Sequence, residues 1–334
     1  MTKPSSPSSV GDPPSGPIGN FLADHFRHFN ARELRQAADA YVDFVEAGGM
    51  MMVTLAGAMS TAELGRSLAP MIRAGKVHAI CCTAANLEED LFMLAAGDDY
   101  ETIANWRALS VDDEVALRER GMNRVTDVCI PETVMRDIEG KLTQLWSDAA
   151  KQGTSHMPCE FLFELLEDPS ILQTFDRDLS TSWVAAAKEV GIPIYTPGFE
   201  DSTLGNIFTA RVIDGTVASH RAYLSGTEQM QRLASWYEDQ GQTPVGFFQI
   251  GGGIAGDFPI CVVPMLIQDL RKSIPYWQYF CQISDAVTSY GGYSGAVPNE
   301  KITWCKLDRD TPKFMIQSDA TIVAPLMFAR ILGW

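Results

Sequence analysis

Two apolar runs alternate with helical-period segments over residues 30–97, and this alternation constrains the fold more than any other feature. In the first segment Leu34, Ala37, Ala38, Tyr41, Val42 and Val45 recur at helical spacing. Asn30-Ala31-Arg32-Glu33 reads as its capping box and Gly48-Gly49 as its stop. Residues 50–55 follow as a continuous apolar run, a buried strand. Ser60-Thr61-Ala62-Glu63 reads as a second capping box whose helix ends at Gly75. Residues 77–83 form a second buried run, and Asn86-Leu87-Glu88-Glu89 opens a third helix. Strands this apolar, joined through helices, belong in a parallel sheet covered on both faces.

The remainder extends the pattern. Helices are expected over 111–120, 131–152, 160–167, 181–190, 227–240, 257–272 and 320–331. Strands are expected over 192–195, 245–250, 276–284 and 313–318. No repeat or linker interrupts residues 18–334, which predicts a single α/β domain, Rossmann-like, with a mostly parallel sheet flanked by helices. Residues 1–17 are rich in Pro, Ser and Gly and lack an apolar signal core, which predicts a disordered tail.

Charge narrows the ligand. With 26 Lys plus Arg against 42 Asp plus Glu, the net charge is −16. That argues against a nucleic-acid partner and suits a cationic one. Seven cysteines, an odd number without a C-x-x-C pair, read as reduced thiols. No apolar run reaches membrane-spanning length, so a cytoplasmic protein with no membrane partner is expected. The five histidines show no metal-ligand spacing, and no metal is expected.

Several ligand signals fall at the expected carboxyl ends of strands, where open α/β sheets bind ligands. Gly251-Gly252-Gly253 ends one strand and precedes a helix; it reads either as a phosphate-facing turn or as a plain tight turn. Asp201 follows a strand and reads equally as a ligand-binding carboxylate or as a cap or turn residue, and Asp319, also at a strand end, as a ligand-binding carboxylate or as the cap of the last helix. Glu88-Glu89-Asp90 reads as generic acids near a helix start, or as a site. The stretch 291–306 joins a glycine loop (Gly291, Gly292, Gly295) to Glu300, Trp304, Cys305 and Lys306. Lys306 among Ile302, Trp304 and Leu307 reads as a surface lysine, or as a desolvated amine suited to imine chemistry.

Five motifs in order resemble the deoxyhypusine synthase family, in its bacterial deoxyhypusine synthase-like branch, over nearly all of residues 30–334. Residues 83–91 resemble Thr-Ala-Gly-Gly-x-Glu-Glu-Asp-Leu, and residues 201–206 resemble Asp-Gly-Ser-Leu-Gly-Asp. Gly251 to Gly253 match a Gly-Gly-Gly turn, and residues 294–306 the segment ending Trp-Gly-Lys. Asp319-Ala320-Thr321 with Pro325-Leu326 match Asp-Ala-Ser followed by Pro-Leu. The resemblance implies NAD contacts at Thr83, Ala84, Ala85, Glu89, Asp201, Gly252, Asp285, Ala286, Asp319 and Ala320. It implies a polyamine site lined by Glu88, Glu89, Glu300 and Trp304, with Lys306 as the imine-forming residue. It also implies a homotetramer with sites at a subunit interface.

The departures cluster in the substrate-reading positions. Asn206 stands where the family has a substrate-binding aspartate, and Asp257-Phe258 replaces His-His. Tyr293, in Gly291-Gly292-Tyr293, replaces a polyamine-contacting aspartate. Ala85-Asn86 replaces Gly-Gly, Cys305 replaces glycine, and residues 57–61 match poorly. The implied activity is NAD-dependent aminoalkyl (aminobutyl) transfer in polyamine metabolism, with a small amine acceptor of homospermidine type. The alternatives are a true deoxyhypusine synthase acting on a translation-factor lysine, a pyridoxal phosphate enzyme using Lys306, and a catalytically silent NAD- or polyamine-binding regulator.

Overall fold

The computed structural model describes residues 16–288 and 291–334. Most of the expected tail therefore lies outside the described residues. Its last member, Pro17, opens helix Pro17–His25, a position suited to proline's fixed φ and missing amide hydrogen.

Nine strands are present among the described residues: β1 (Met50–Leu55), β2 (Ala79–Cys82), β3 (Glu101–Thr102), β4 (Met122–Val125), β5 (Val128–Pro131), β6 (Ile194–Tyr195), β7 (Val245–Ile250), β8 (Tyr279–Ser284) and β9 (Lys313–Gln317). Six form one sheet in the order β6-β2-β1-β7-β8-β9, and every neighbouring pair is parallel. From β1 the chain steps outward to β2 and β6, then returns to place β7 on β1's other side. That reversal is the topological switch point, the place where such sheets open a ligand crevice. Helices cover both faces, so β7 and β8 are buried along their whole length. Among the described residues no helix is long and apolar enough to cross a membrane.

Polar residues interrupt these buried strands in one row. Thr54, Gln249 and Gln282 are in register on β1, β7 and β8, near the carboxyl end of each strand, and all three are fully buried. Buried amides need partners. Gln249 Nε2 donates to the Gly251 carbonyl at 2.8 Å, and Gln282 Nε2 to the Ser294 carbonyl at 2.8 Å. The row thus fastens the loops that carry the candidate site to the sheet beneath.

Three expectations are corrected. Residues 101–131 hold a small antiparallel sheet, β3-β5-β4, where only a helix was expected. It has its own core of Leu117, Met122 and Cys129, and strands of two to four residues are too short to show periodicity. Helix Thr203–Ile213 was also unforeseen. Finally, neither upstream capping box caps a helix. Helix Phe29–Glu46 starts before Asn30, whose side chain donates to the Gln317 carbonyl, while Glu33 accepts from the Met315 amide. The second helix is Gly65–Arg73, beyond Ser60 and Thr61, which engage the next helix instead. Long-range partners outcompeted the local caps.

Candidate active site

Lys306 is buried, although it follows an exposed turn of chain. Helix Glu300–Thr303 is a single short turn, and Cys305 takes a left-handed conformation (φ 56°) that reverses the chain and sends Lys306 inward. Only 9% of the Lys306 side chain is accessible. Its Nζ lies 3.0 Å from Asp257 Oδ1 and 5.3 Å from the centre of the Tyr293 ring. Asp257 projects from helix Gly253–Ile260 directly after the glycine turn, and also accepts from Cys261 Sγ at 3.6 Å. The Tyr293 hydroxyl donates to Gln249 Oε1 at 2.8 Å. Burial, then the Asp257 charge, push the Tyr293 phenol well above its ordinary value, so it stays neutral. The residues that depart from the family pattern, Asp257 and Tyr293, are thus the ones that touch Lys306. The ammonium held by Asp257 in the free protein is the chain's own.

The acidic triplet is divided among three tasks. Helix Ala84–Ala96 begins at an N-cap on Thr83, so the acids lie in its interior. Glu88 is buried, and its two oxygens accept from the Thr203 and Leu204 amides at 3.0 and 2.7 Å. They satisfy the free amide hydrogens at the start of helix Thr203–Ile213. Asp90 does the same for helix Trp183–Val190, accepting from the Trp183 and Val184 amides and from Ser182 Oγ. Burial raises Glu88 to about 7 and Asp90 to about 6, even against these hydrogen bonds. Glu89 faces a large cleft, with its carboxylate bonded to Thr61 Oγ1, and burial raises it as well.

Asn86 links two departures into one. Fully buried, it donates from Nδ2 to the Leu55, Ala56 and Gly57 carbonyls and to Thr83 Oγ1. Its Oδ1 accepts from the Ser60 amide at 3.0 Å. The loop after β1, which matches the family poorly, is therefore tied to the residue that replaces the family's second glycine. Thr83 Oγ1 is occupied here too, donating to the Gly57 carbonyl at 2.7 Å. Ala84 is buried and Ala85 half-buried in the same first turn.

Two clefts flank this loop. One, of about 550 Å³, brings Glu89, Asp201 and Asn206 together with Asn123, Glu132 and Arg136. Asp201 is an exposed turn residue there, because Ser202 is the helix N-cap. The other, of about 690 Å³, lies between Met59, Thr61, the β4–β5 turn, Asp319 and Thr321. Asp319 caps helix Ala320–Leu332 by accepting from the Thr321 amide at 2.8 Å. Asp285 is exposed and Ala286 half-buried after β8. Gly291 (φ 77°) and Gly292 are exposed, with open space where a Cβ would stand. Glu300 is exposed, and Trp304 is 66% exposed. The glycine turn divides likewise. A Cβ on Gly252 would sit 1.9 Å from Ser294 Oγ, whereas Gly253 (φ 57°) has open space.

Sequence reasoning missed Gln249, Gln282 and Lys301, and it read Asn86 only as a helix-opening residue and a departure from the family. The first two were visible as polar interruptions in apolar strands. Lys301 is 2% exposed, which nothing in its local sequence announces.

The description "Deoxyhypusine synthase" belongs to the family model that matches residues 23–331. A deoxyhypusine synthase-like protein of Nostoc sp. is 28% identical over 326 residues, covering 95% of this chain and 81% of its own. Archaeoglobus fulgidus has a protein named probable deoxyhypusine synthase 1 that is 27% identical, covering 91% and 90%. Among solved structures, a deoxyhypusine synthase candidate from Entamoeba histolytica superposes with a TM-score of 0.56 at 13% identity, over 92% and 90% of the two chains. That last likeness speaks to the fold.

Proposed function

The chain belongs to the deoxyhypusine synthase family, and from that premise we propose that it is an NAD-dependent aminoalkyl transferase acting through an imine on Lys306, with a small amine as acceptor. The observation that carries the reading is the buried Lys306 amine, held 3.0 Å from Asp257 beside the Tyr293 ring.

The residues present fit a dinucleotide at the carboxyl ends of the strands. Asp201 and Asp319 are exposed for ribose hydroxyls, Gly253 leaves its backbone open, and the cleft beside Asp319 has room of about 690 Å³. Bound NAD would supply the hydride acceptor, and as NADH the donor, for making and later reducing a carbon–nitrogen double bond. Lys306, once it has lost a proton, attacks that carbon through Nζ; its new C=N bond forms as the bond to the departing diamine breaks. The acceptor amine reverses the exchange and frees Lys306. Asp257 holds the Lys306 ammonium before attack, then the ammonium of the bound amine. The Tyr293 ring beside the amine keeps water from the imine.

The acceptor assignment rests on the altered contacts. Asp257 adds a carboxylate beside the lysine, while Asn206 and Tyr293 each stand where the family has one, so the charge that reads an amine has moved. A homotetramer is proposed on the family pattern. Exposed Ile254, Val287 and Ile322, each within five residues of a strand's carboxyl end, favour burial of that end in an assembly. Light scattering at micromolar concentration tests it.

The deciding experiment incubates the protein with NAD and a panel of polyamines and identifies released and formed amines by mass spectrometry. Borohydride should trap an adduct on Lys306, and Lys306→Arg should abolish transfer, since arginine keeps charge but forms no imine. Undiminished transfer by that variant overturns the reading.

A further inference from the structure

We propose that Lys301 is the proton-accepting partner of Lys306: the buried amine without a carboxylate partner, which takes the proton Lys306 must lose before it attacks. The proposal rests on the Lys306 reading above.

Both lysines lie against one ring. Lys301 Nζ is 5.0 Å from the Tyr293 centroid and 4.8 Å from that of Phe280, and Lys306 Nζ is 5.3 Å from Tyr293. Both are buried, at 2% and 7% exposure. Their hydrogen bonding differs. Lys306 has the Asp257 carboxylate at 3.0 Å. Lys301 reaches the Ala296 carbonyl at 3.4 Å and has no carboxylate within ion-pair distance among the described residues. An ammonium carries three donors and is costly to bury with one weak acceptor. Two ammonium groups on one desolvated ring also repel, which disfavours the charged form of Lys301.

The charges facing Lys301 agree. Burial and the Lys306 charge lower it to about 8, against the more distant Glu300 and Asp257 carboxylates, which raise it. Tyr293 and Cys261, the other titratable groups here, are both raised and therefore neutral, and supply no counter-charge. Lys306 thus has the Asp257 carboxylate as its partner and Lys301 does not, so Lys301 is the amine that gives up its proton toward about pH 8 and can then accept one. In the transfer a Lys306 N–H bond breaks and a Lys301 N–H bond forms. Total charge is unchanged, no electrons are exchanged, and the proton returns when Lys306 is regenerated.

A lysine buried only for its methylene stem would be replaced by methionine without consequence. The test therefore uses Lys301→Met and reads Lys306 directly, by reductive trapping with a small aldehyde and borohydride, which needs neither NAD nor an amine substrate. The wild-type rate should rise through about pH 8. In Lys301→Met it should fall about tenfold near neutrality, with the rise displaced to higher pH. Superimposable pH profiles overturn the proposal. If Lys301→Met does not fold, competitive acetylation of the wild-type chain between about pH 6 and 11, read by peptide mass spectrometry, decides it. Half-reaction of Lys301 near pH 8 supports the proposal, and half-reaction above about pH 10 overturns it. Failure of amine transfer with the expected trapping profile would instead count against the transferase reading alone.

Discussion

Cys305 adopts a φ of 56° immediately before Lys306, so a left-handed residue sets the direction in which the buried amine points. The family has glycine at this position, and the backbone shows why. Left-handed geometry costs a side-chain-bearing residue about 1–2 kcal/mol, and glycine little. Cys305→Gly should therefore stabilise the protein by about 1 kcal/mol, once glycine's greater unfolded-state freedom is offset. Urea denaturation of both chains checks this; a loss of stability would mean that the cysteine side chain holds the turn.

Asp257→Asn removes the carboxylate paired with Lys306. A charge-assisted hydrogen bond contributes roughly 1.5–3 kcal/mol, so KM for the amine should rise about tenfold or more. Turnover should change less, because the same carboxylate serves ground state and transition state alike. Steady-state kinetics with the preferred amine separate the two constants. An unchanged KM would show that Asp257 serves Lys306 and never substrate.

Stability should fall as pH rises from about 4.5 to 7. Glu88 is raised from 4.5 to about 7, foremost by burial, so the folded state binds its proton more tightly than the unfolded chain. That contribution is fully present below the unfolded value and lost as pH rises through the folded one, on the order of 3 kcal/mol. Asp90, raised to about 6, acts in the same sense at lower pH. Glu88→Gln should be less stable below pH 5, where it offers an amide to backbone amides, but should flatten the slope above pH 6. Melting curves across that range test it.

Asn86→Ala should free the loop after β1. The substitution leaves the Ser60 amide and the Ala56 carbonyl without their partner, while the Leu55 and Gly57 carbonyls keep Thr83, for a loss of about 2–4 kcal/mol. Hydrogen exchange should quicken over residues 56–62 before it changes in β7 or β8. Uniform protection across the chain would show that the loop is held by other contacts.

The sheet was largely legible because parallel strands buried on both faces must be apolar throughout. Residues 50–55 and 245–250 were bounded as they occur. Short elements were not. β3, β4 and β5 offer too few residues for a period, and helix Thr203–Ile213, capped by Ser202, has its first two amides satisfied by Glu88, far off in sequence. The site shows the same divide. Lys306 could be picked out from its own segment, but its partner Asp257 and its neighbour Lys301 acquire meaning only when the chain closes around Tyr293. The acids at 88–90 look alike in sequence, and only the helices packed on them separate Glu88 and Asp90, which hold helix-start amides, from Glu89, which faces the cleft of about 550 Å³.

The middle of the sheet pairs Met50 with Val245, so β1 meets its second neighbour only late in the chain. At ~5–20 residues per second, a ribosome takes roughly ten to forty seconds to make the intervening sequence. For that interval the edge of Met-Met-Met-Val-Thr-Leu is an unclaimed template that any other extended chain could occupy. The burden this fold places on its host is thus one of timing: nascent chains cut short between β6 and β7 should be the ones captured by chaperones or lost to aggregates.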